Sequence, residues 1–244
     1  MPIPILYDIP SKKPLESWSL NPWKTRLALN FKKIDYQTEW VEYPAIAPLL
    51  KSFGLPPNDP TDPDYFTAYS IPTVRFDERT YVMESKAIAA ELEQRYPDPP
   101  LHPSAPLVAE VQKAVNAAFG PLTPILISAI PRNLLTETSA GWFEDDRKAR
   151  MGGVSLAQME AEKGGEKAWG LAAEPAAALA ALLKKNEGPF LGGEKVQYAD
   201  FLIVSFLHFV KRVDQRHFER FVALDPAFAA IYDASKEWLA RGDH

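Results

Sequence analysis

The sequence predicts a small α/β domain followed by an all-helical domain. Three observations carry this reading. Residues 1–96 alternate between strand and helix signals in the order β-α-β-α-β-β-α. Pro97-Asp98-Pro99-Pro100 then interrupts the chain, because proline lacks an N–H and disfavours helix in the residue before it. Beyond that run the strand signals vanish and helical spacing takes over. The domains read as 1–96 and 107–244, joined by a linker over 97–106.

Each element has its own warrant. Ile3–Tyr7 is a short apolar strand. Asn21-Pro22 opens a helix, with Asn as N-cap and Pro at the first helical position, and Trp23, Leu27 and Phe31 mark its apolar face. Tyr36–Val41 alternates as a strand, and Ile46–Phe53 is a weaker helix. Residues 55–68 hold four prolines and three aspartates and read as a loop insertion. Ile71–Phe76 and Thr80–Met83 are strands joined through Asp77-Glu78-Arg79, a hairpin without its usual glycine. Ile88, Leu92 and Tyr96 mark the helix that closes the domain.

In the second part, Ser104 and Pro106 open a helix to about Phe119. Ser155 and Gln158 form a capping box at a helix that Gly164-Gly165 ends. Pro175–Leu183 is alanine-rich and helical, with Pro175 expected in the first turn. A buried helix covers roughly 198–213, and Ala227–Leu239 is a last amphipathic one. Trp142, Phe143 and the acidic pair Asp145-Asp146 read as an exposed turn rather than a pocket lid.

Composition narrows the function. Of the 244 residues, 46% are apolar and 24% charged, which excludes a disordered or collagen-like chain. Residues 1–100 hold 11 Lys and Arg against 14 Asp and Glu, and the remainder 16 against 18, so no basic half exists to neutralise nucleic-acid phosphates. With no cysteine, disulfides, Cys-ligated zinc and a cysteine nucleophile are all excluded. His102, His208, His217 and His244 are too scattered for a metal site. The start has no basic leader, and the most apolar run, Phe201–Val210, is too short to span a bilayer, so the expected location is cytoplasmic.

Three features of the first domain bear on chemistry. In Ser17-Trp18-Ser19-Leu20-Asn21-Pro22, a loop runs into a helix whose free N–H groups and dipole favour an anion, a thiolate included. Taken alone, Ser19 reads first as a polar loop residue and Asn21 as a plain cap, because helix caps are common. Ser70-Ile71-Pro72-Thr73 opens a strand. A cis bond before Pro72 leaves the Ile71 backbone to pair with an extended peptide, whereas a trans proline there is simply a strand start. Glu84-Ser85 sits at a strand-to-helix junction, where an acid and a helix N-terminus match an α-amino and an α-carboxylate group, or form a cap beside a surface acid.

Taken in order, with the β-α-β-α-β-β-α pattern and an all-α tail, these features resemble the glutathione transferase superfamily over essentially the whole chain. Tyr7-Asp-Ile-Pro10, Trp18-Ser19, Trp23-Lys-Thr-Arg26, Ala28–Lys32 and Thr38–Pro44 look like the fungal etherase-type members, relatives of bacterial lignin β-etherases. Tyr198-Ala-Asp-Phe201 and Phe209–Val213 look like the same group.

The resemblance implies a thioredoxin-like domain plus a helical domain, glutathione as co-substrate, no metal, and a homodimer. Ser19 falls on the catalytic serine that contacts the glutathione sulfur. Asn21 is the alternative thiolate donor, because Pro22 occupies the position of another. Ile71 and a cis-Pro72 would hold the cysteinyl backbone, and Glu84 and Ser85 the γ-glutamyl group. The electrophile pocket would draw on Trp18 and Phe119. Gln197, three residues before Asp200, replaces the usual Ser or Thr cap, and the 55–68 insertion replaces the region that binds the glycyl end.

An ordinary thiol has a pKa of about 8.5, and lowering it two units takes about 2.7 kcal/mol, within reach of a hydroxyl hydrogen bond plus a helix N-terminus. The implied partner is a hydrophobic small-molecule electrophile, β-aryl ethers among them. A carrier of phenolic ligands and a regulatory or interaction module of the same fold are the competing readings.

Overall fold

A computed structural model of the chain describes residues 2–62 and 65–242. Met1, Pro63, Asp64, Asp243 and His244 lie outside the described residues. The first domain comprises β1 (Ile5–Asp8), α1 (Leu20–Phe31), β2 (Gln37–Trp40), α2 (Tyr43–Ser52), β3 (Thr73–Arg75), β4 (Tyr81–Met83) and α3 (Ser85–Arg95). The sheet order is β2-β1-β3-β4, with β1 parallel to β2 and antiparallel to β3, and β3 antiparallel to β4. This is the thioredoxin-like arrangement. Tyr7 lies opposite Glu39 on one side and Thr73 on the other.

The strands are shorter than the sequence predicts. Pro2 and Pro4 have no N–H for the ladder, so β1 begins at Ile5, although the Pro4 carbonyl still accepts from Gln37 N–H at 3.0 Å. In the hairpin Asp77 substitutes for the missing glycine: its Oδ1 accepts from the N–H groups of Arg79 and Thr80, both at 3.0 Å. α2 starts at Tyr43 rather than Ile46. Pro44 suits its first turn, and Tyr43 N–H donates to Ser139 Oγ of the second domain at 3.0 Å.

Two cap assignments are corrected. α1 is capped by Ser19, not Asn21, because the first helical bond runs from Trp23 N–H to the Ser19 carbonyl at 3.1 Å. Pro22 then falls in the first turn, where its missing N–H has no acceptor to lose. The cap of α3 is Glu84, whose carbonyl accepts from Ile88 N–H at 2.9 Å, and Ser85 is the first helical residue.

The second domain is α4 (Pro106–Phe119), a 3-10 turn (Gly120–Leu122), α5 (Thr123–Asn133), α6 (Glu137–Arg150), α7 (Leu156–Lys163), α8 (Gly165–Leu183), α9 (Tyr198–Val213), α10 (Gln215–Val222), α11 (Pro226–Ala234) and α12 (Lys236–Leu239). The run Pro106–Asn133 is long and apolar enough to cross a membrane by length and composition, but just over half of it is buried in the protein.

Residues 142–146 are not an exposed turn. They lie within α6, which Thr136 caps by accepting from Ser139 N–H. Phe143 is 1% exposed, and Trp142 stacks on Tyr43 at 5.5 Å between centroids. Pro175 sits deep inside α8 rather than in its first turn. The carbonyl it leaves without a donor belongs to Leu171, which is exposed. The predicted last helix breaks at Ser235, whose buried hydroxyl donates to the Ile231 carbonyl at 2.8 Å. Gln197 proves an adequate cap residue, because Asp200 accepts from its backbone N–H at 2.7 Å and from Leu191 N–H at 2.7 Å.

The two domains share a core along α1 and α9. Trp23 meets His208 at 4.2 Å, and Phe31 meets Phe201 edge-on at 5.8 Å. The linker is pinned by Lys32, whose ammonium donates to the carbonyls of Tyr96 (2.6 Å) and Pro99 (2.7 Å) and pairs with Glu93 at 2.9 Å. Glu93 in turn accepts from Leu101 and His102 N–H.

Candidate active site

A cleft of about 910 Å³ opens between the domains. The start of α1 contributes Asn21, the β4–α3 junction Glu84 and Ser85, and the base of the 55–68 segment Asn58. α4 and α9 form the opposite wall with Gln112, Asn116, Tyr198 and Leu202. Two helix N-termini, those of α1 and α3, therefore border one cleft. Their unbonded N–H groups and dipoles make it favourable to anions.

Glu84 anchors this arrangement. Its φ is +76°, a conformation most side chains avoid, and its N–H donates to the Pro72 carbonyl at 3.2 Å. The Ile71–Pro72 peptide is cis and lies immediately before β3, so the two features meet at this bond. The Glu84 carboxylate accepts from Asn58 Nδ2 at 3.0 Å and from Ser70 Oγ, both through Oε1. Ser85 is buried, and its carbonyl accepts from Tyr198 Oη at 3.1 Å. Burial pushes the Tyr198 phenol far up, so it stays a neutral donor.

Ser19 is half-buried at the cap of α1, and its hydroxyl makes no capping hydrogen bond. Asn21 is exposed and lines the cleft. The cleft thus unites Asn21, Glu84 and Ser85. Ser19, Ile71 and Pro72 stand beside it without forming its wall.

Trp18 is corrected to a core residue. It is 1% exposed, its indole N–H donates to the Pro10 carbonyl at 3.3 Å, and it packs on Phe209 at 6.5 Å. Phe119 meets the same Phe209 edge-on at 5.9 Å and stays half-buried. These rings form one aromatic row under the domain junction, outside the cleft wall.

Asn58 is passed over by sequence reasoning, and Ser70 and Tyr198 enter it only inside longer motifs, without their contacts to Glu84 and Ser85. The asparagine after Pro56-Pro57 is a turn signal, but nothing in the sequence announces a partner at Glu84. Among the described residues no cluster of three or more His, Asp and Glu is placed to hold a metal.

The family model for the glutathione S-transferase N-terminal domain matches residues 18–95, and that for the C-terminal domain matches residues 107–233. The glutathione S-transferase-like protein ustS of Aspergillus flavus is 33% identical, over 96% of this chain and 90% of its own. A glutathione S-transferase of Ceriporiopsis subvermispora, solved in complex with glutathione, superposes with a TM-score of 0.84 at 32% identity, covering 97% of this chain and 98% of that one. The glutathione transferase GSTFuA2 of Phanerochaete chrysosporium gives 0.84 at 29% identity, with both chains fully covered. With family models for both domains and relatives that span the whole chain, this protein belongs to the glutathione S-transferase family.

Proposed function

We propose that the protein binds glutathione at the two converging helix N-termini and uses Ser19 to stabilise its thiolate for attack on a hydrophobic electrophile. The observation that carries this reading is the cleft itself, where an acid and a buried helix start, Glu84 and Ser85, share one cavity with the N-terminus of α1. A relative of the same fold was solved with glutathione bound, which supports the ligand. In this reading the γ-glutamyl ammonium meets Glu84, its carboxylate meets the start of α3 at Ser85, and Ile71 and Pro72 hold the cysteinyl backbone. The sulfur then lies near Ser19 and Asn21, and the thiolate displaces a leaving group from the electrophile. Tyr65, Phe66 and Leu202 supply apolar contact in the cleft.

β-Aryl ethers are the electrophile class we place first, on the resemblance to etherase-type members. The protein acts as a homodimer in the cytoplasm, and light scattering at micromolar concentration giving twice the mass of one chain tests the dimer. For function, a panel of aryl ethers and aryl halides is incubated with and without glutathione, and conjugates are read by mass spectrometry. Conjugates that require both protein and glutathione support the transferase. Ligand binding without any conjugate replaces it with a carrier of phenolic ligands. Calorimetry on Glu84→Ala and Ser85→Ala tests the site, since losing a charge-assisted bond costs about 1.5–3 kcal/mol. Unchanged affinity in both variants removes the assignment.

A further inference from the structure

Glu84 is held from outside its own helix. Asn58 belongs to the Pro/Asp-rich segment, distant from Glu84 in sequence, yet Nδ2 donates to Glu84 Oε1 at 3.0 Å. The same Nδ2 donates to the Thr67 carbonyl at 3.0 Å. Both partners are acceptors, so the amide orientation is fixed by what surrounds it. Asn58 N–H also donates to the Ala68 carbonyl at 2.8 Å, which closes the base of the segment. Ser70 Oγ donates to the same Glu84 Oε1. Two donors therefore converge on one carboxylate oxygen, and Oε2 takes neither bond. The residue so held has an unfavourable φ of +76°, a strain that persists only where neighbours over-determine it.

We infer that Asn58 is a positioning residue for the α-amino end of glutathione. It fixes the Glu84 carboxylate through Oε1, so that Oε2 is presented to the ammonium group. The inference rests on the glutathione reading above. Without Asn58 only Ser70 Oγ still holds Oε1, the carboxylate is less tightly aimed, and part of the binding free energy goes into ordering it. The loop insertion thereby does more than replace a region of the family pattern, because it supplies the group that aims the recognition acid.

The test compares glutathione with its des-amino analogue, in which glutaryl replaces γ-glutamyl, by calorimetry on the full chain. Wild type binds glutathione more tightly than the analogue. In Asn58→Ala the Kd for glutathione rises about tenfold, while that for the analogue changes less than twofold. A merely structural role for Asn58 weakens both ligands equally, and that outcome overturns the inference, as does an unchanged glutathione Kd. Asn58→Asp keeps the shape but sets one carboxylate against another, so it answers the same question if the alanine variant does not fold. It too should lose glutathione selectively, and equal loss of both ligands there also overturns the assignment. Failure of wild type to bind either ligand instead overturns the glutathione reading itself.

Discussion

Tyr198 Oη donates to the Ser85 carbonyl at 3.1 Å, so the first residue of α9 holds the first residue of α3. The bond crosses the domain junction and is buried at both ends. It ties the helix start that is proposed to receive the γ-glutamyl carboxylate to the best-buried helix of the other domain. Tyr198→Phe leaves the Ser85 carbonyl buried without this donor. The carbonyl keeps its bond within α3, so the expected loss is about 0.5–1.5 kcal/mol of unfolding free energy in urea, with weaker glutathione binding. A variant as stable as wild type would show that the carbonyl finds another partner.

Arg26 and Asp8 make a second fixed point, an ion pair of 2.8 Å with both side chains fully buried. Arg26 also donates to Thr38 Oγ1 at 3.0 Å, so α1, β1 and β2 are joined through one guanidinium. Arg26→Met strands the Asp8 charge in the core, at an expected cost of about 3–5 kcal/mol. Adding Asp8→Leu to Arg26→Met removes the stranded charge and should recover most of that loss. A double variant no more stable than Arg26→Met argues that packing, rather than the charge, dominates.

His208 gives the stability a pH dependence. Burial, with Arg212 and Lys211 nearby, pushes its imidazole down to about 3, and Nδ1 lies 2.9 Å from Tyr232 Oη. A base whose pKa falls on folding takes up protons on unfolding, so stability drops as pH falls from about 6.5 toward 3. Asp200 works in the opposite sense: burial raises it to about 6, so its contribution declines as pH rises from about 4 through 6. Between about pH 4 and 6 the two oppose and nearly cancel, so unfolding curves from pH 4 to 7 separate them only when wild type is compared with His208→Gln. Without the histidine the Asp200 contribution should stand alone and stability should fall as pH rises through about 6, and a profile unchanged from wild type would falsify the assignment.

Legibility in the sequence followed physical range. The β-α-β-α-β-β-α order and the Pro97–Pro100 break are local signals, and the structure has both. α6 is hidden because Glu144, Asp145, Asp146 and Arg147 interrupt its apolar spacing, and only contact with Tyr43 shows why Trp142 and Phe143 sit where they do. Pro175 misleads because a proline inside a helix is costly, yet a carbonyl freed at exposed Leu171 makes it tolerable. Trp18 looks like a pocket residue beside Ser19, but whether a ring faces a cleft or the core depends on Phe209, far away in sequence. Asn58 and Glu84 meet only after the chain folds back at the 55–68 segment.

The thiolate donor is decided between Ser19 and Asn21. Asn21 is not the cap of α1, so no capping duty keeps its side chain from a ligand, and it lines the cleft. Ser19 holds the cap position, yet its hydroxyl makes no bond to the helix and stands at the head of the α1 dipole. A hydroxyl there can donate to sulfur while the unbonded N–H groups of the first turn add their field. If Ser19 is the donor, Ser19→Ala removes a hydrogen bond to a charged group, worth about 1.5–3 kcal/mol, and raises the bound thiol pKa by roughly 1–2 units. Glutathione affinity at low pH, where the thiol is protonated in both proteins, should change little, because only the thiolate form gains from that bond. Thiolate absorbance titrated against pH in wild type, Ser19→Ala and Asn21→Ala reads the result directly. The expected pattern is a shift in Ser19→Ala and none in Asn21→Ala. The reverse pattern transfers the role to Asn21, and a shift in neither leaves the backbone N–H groups of α1 as the activating element.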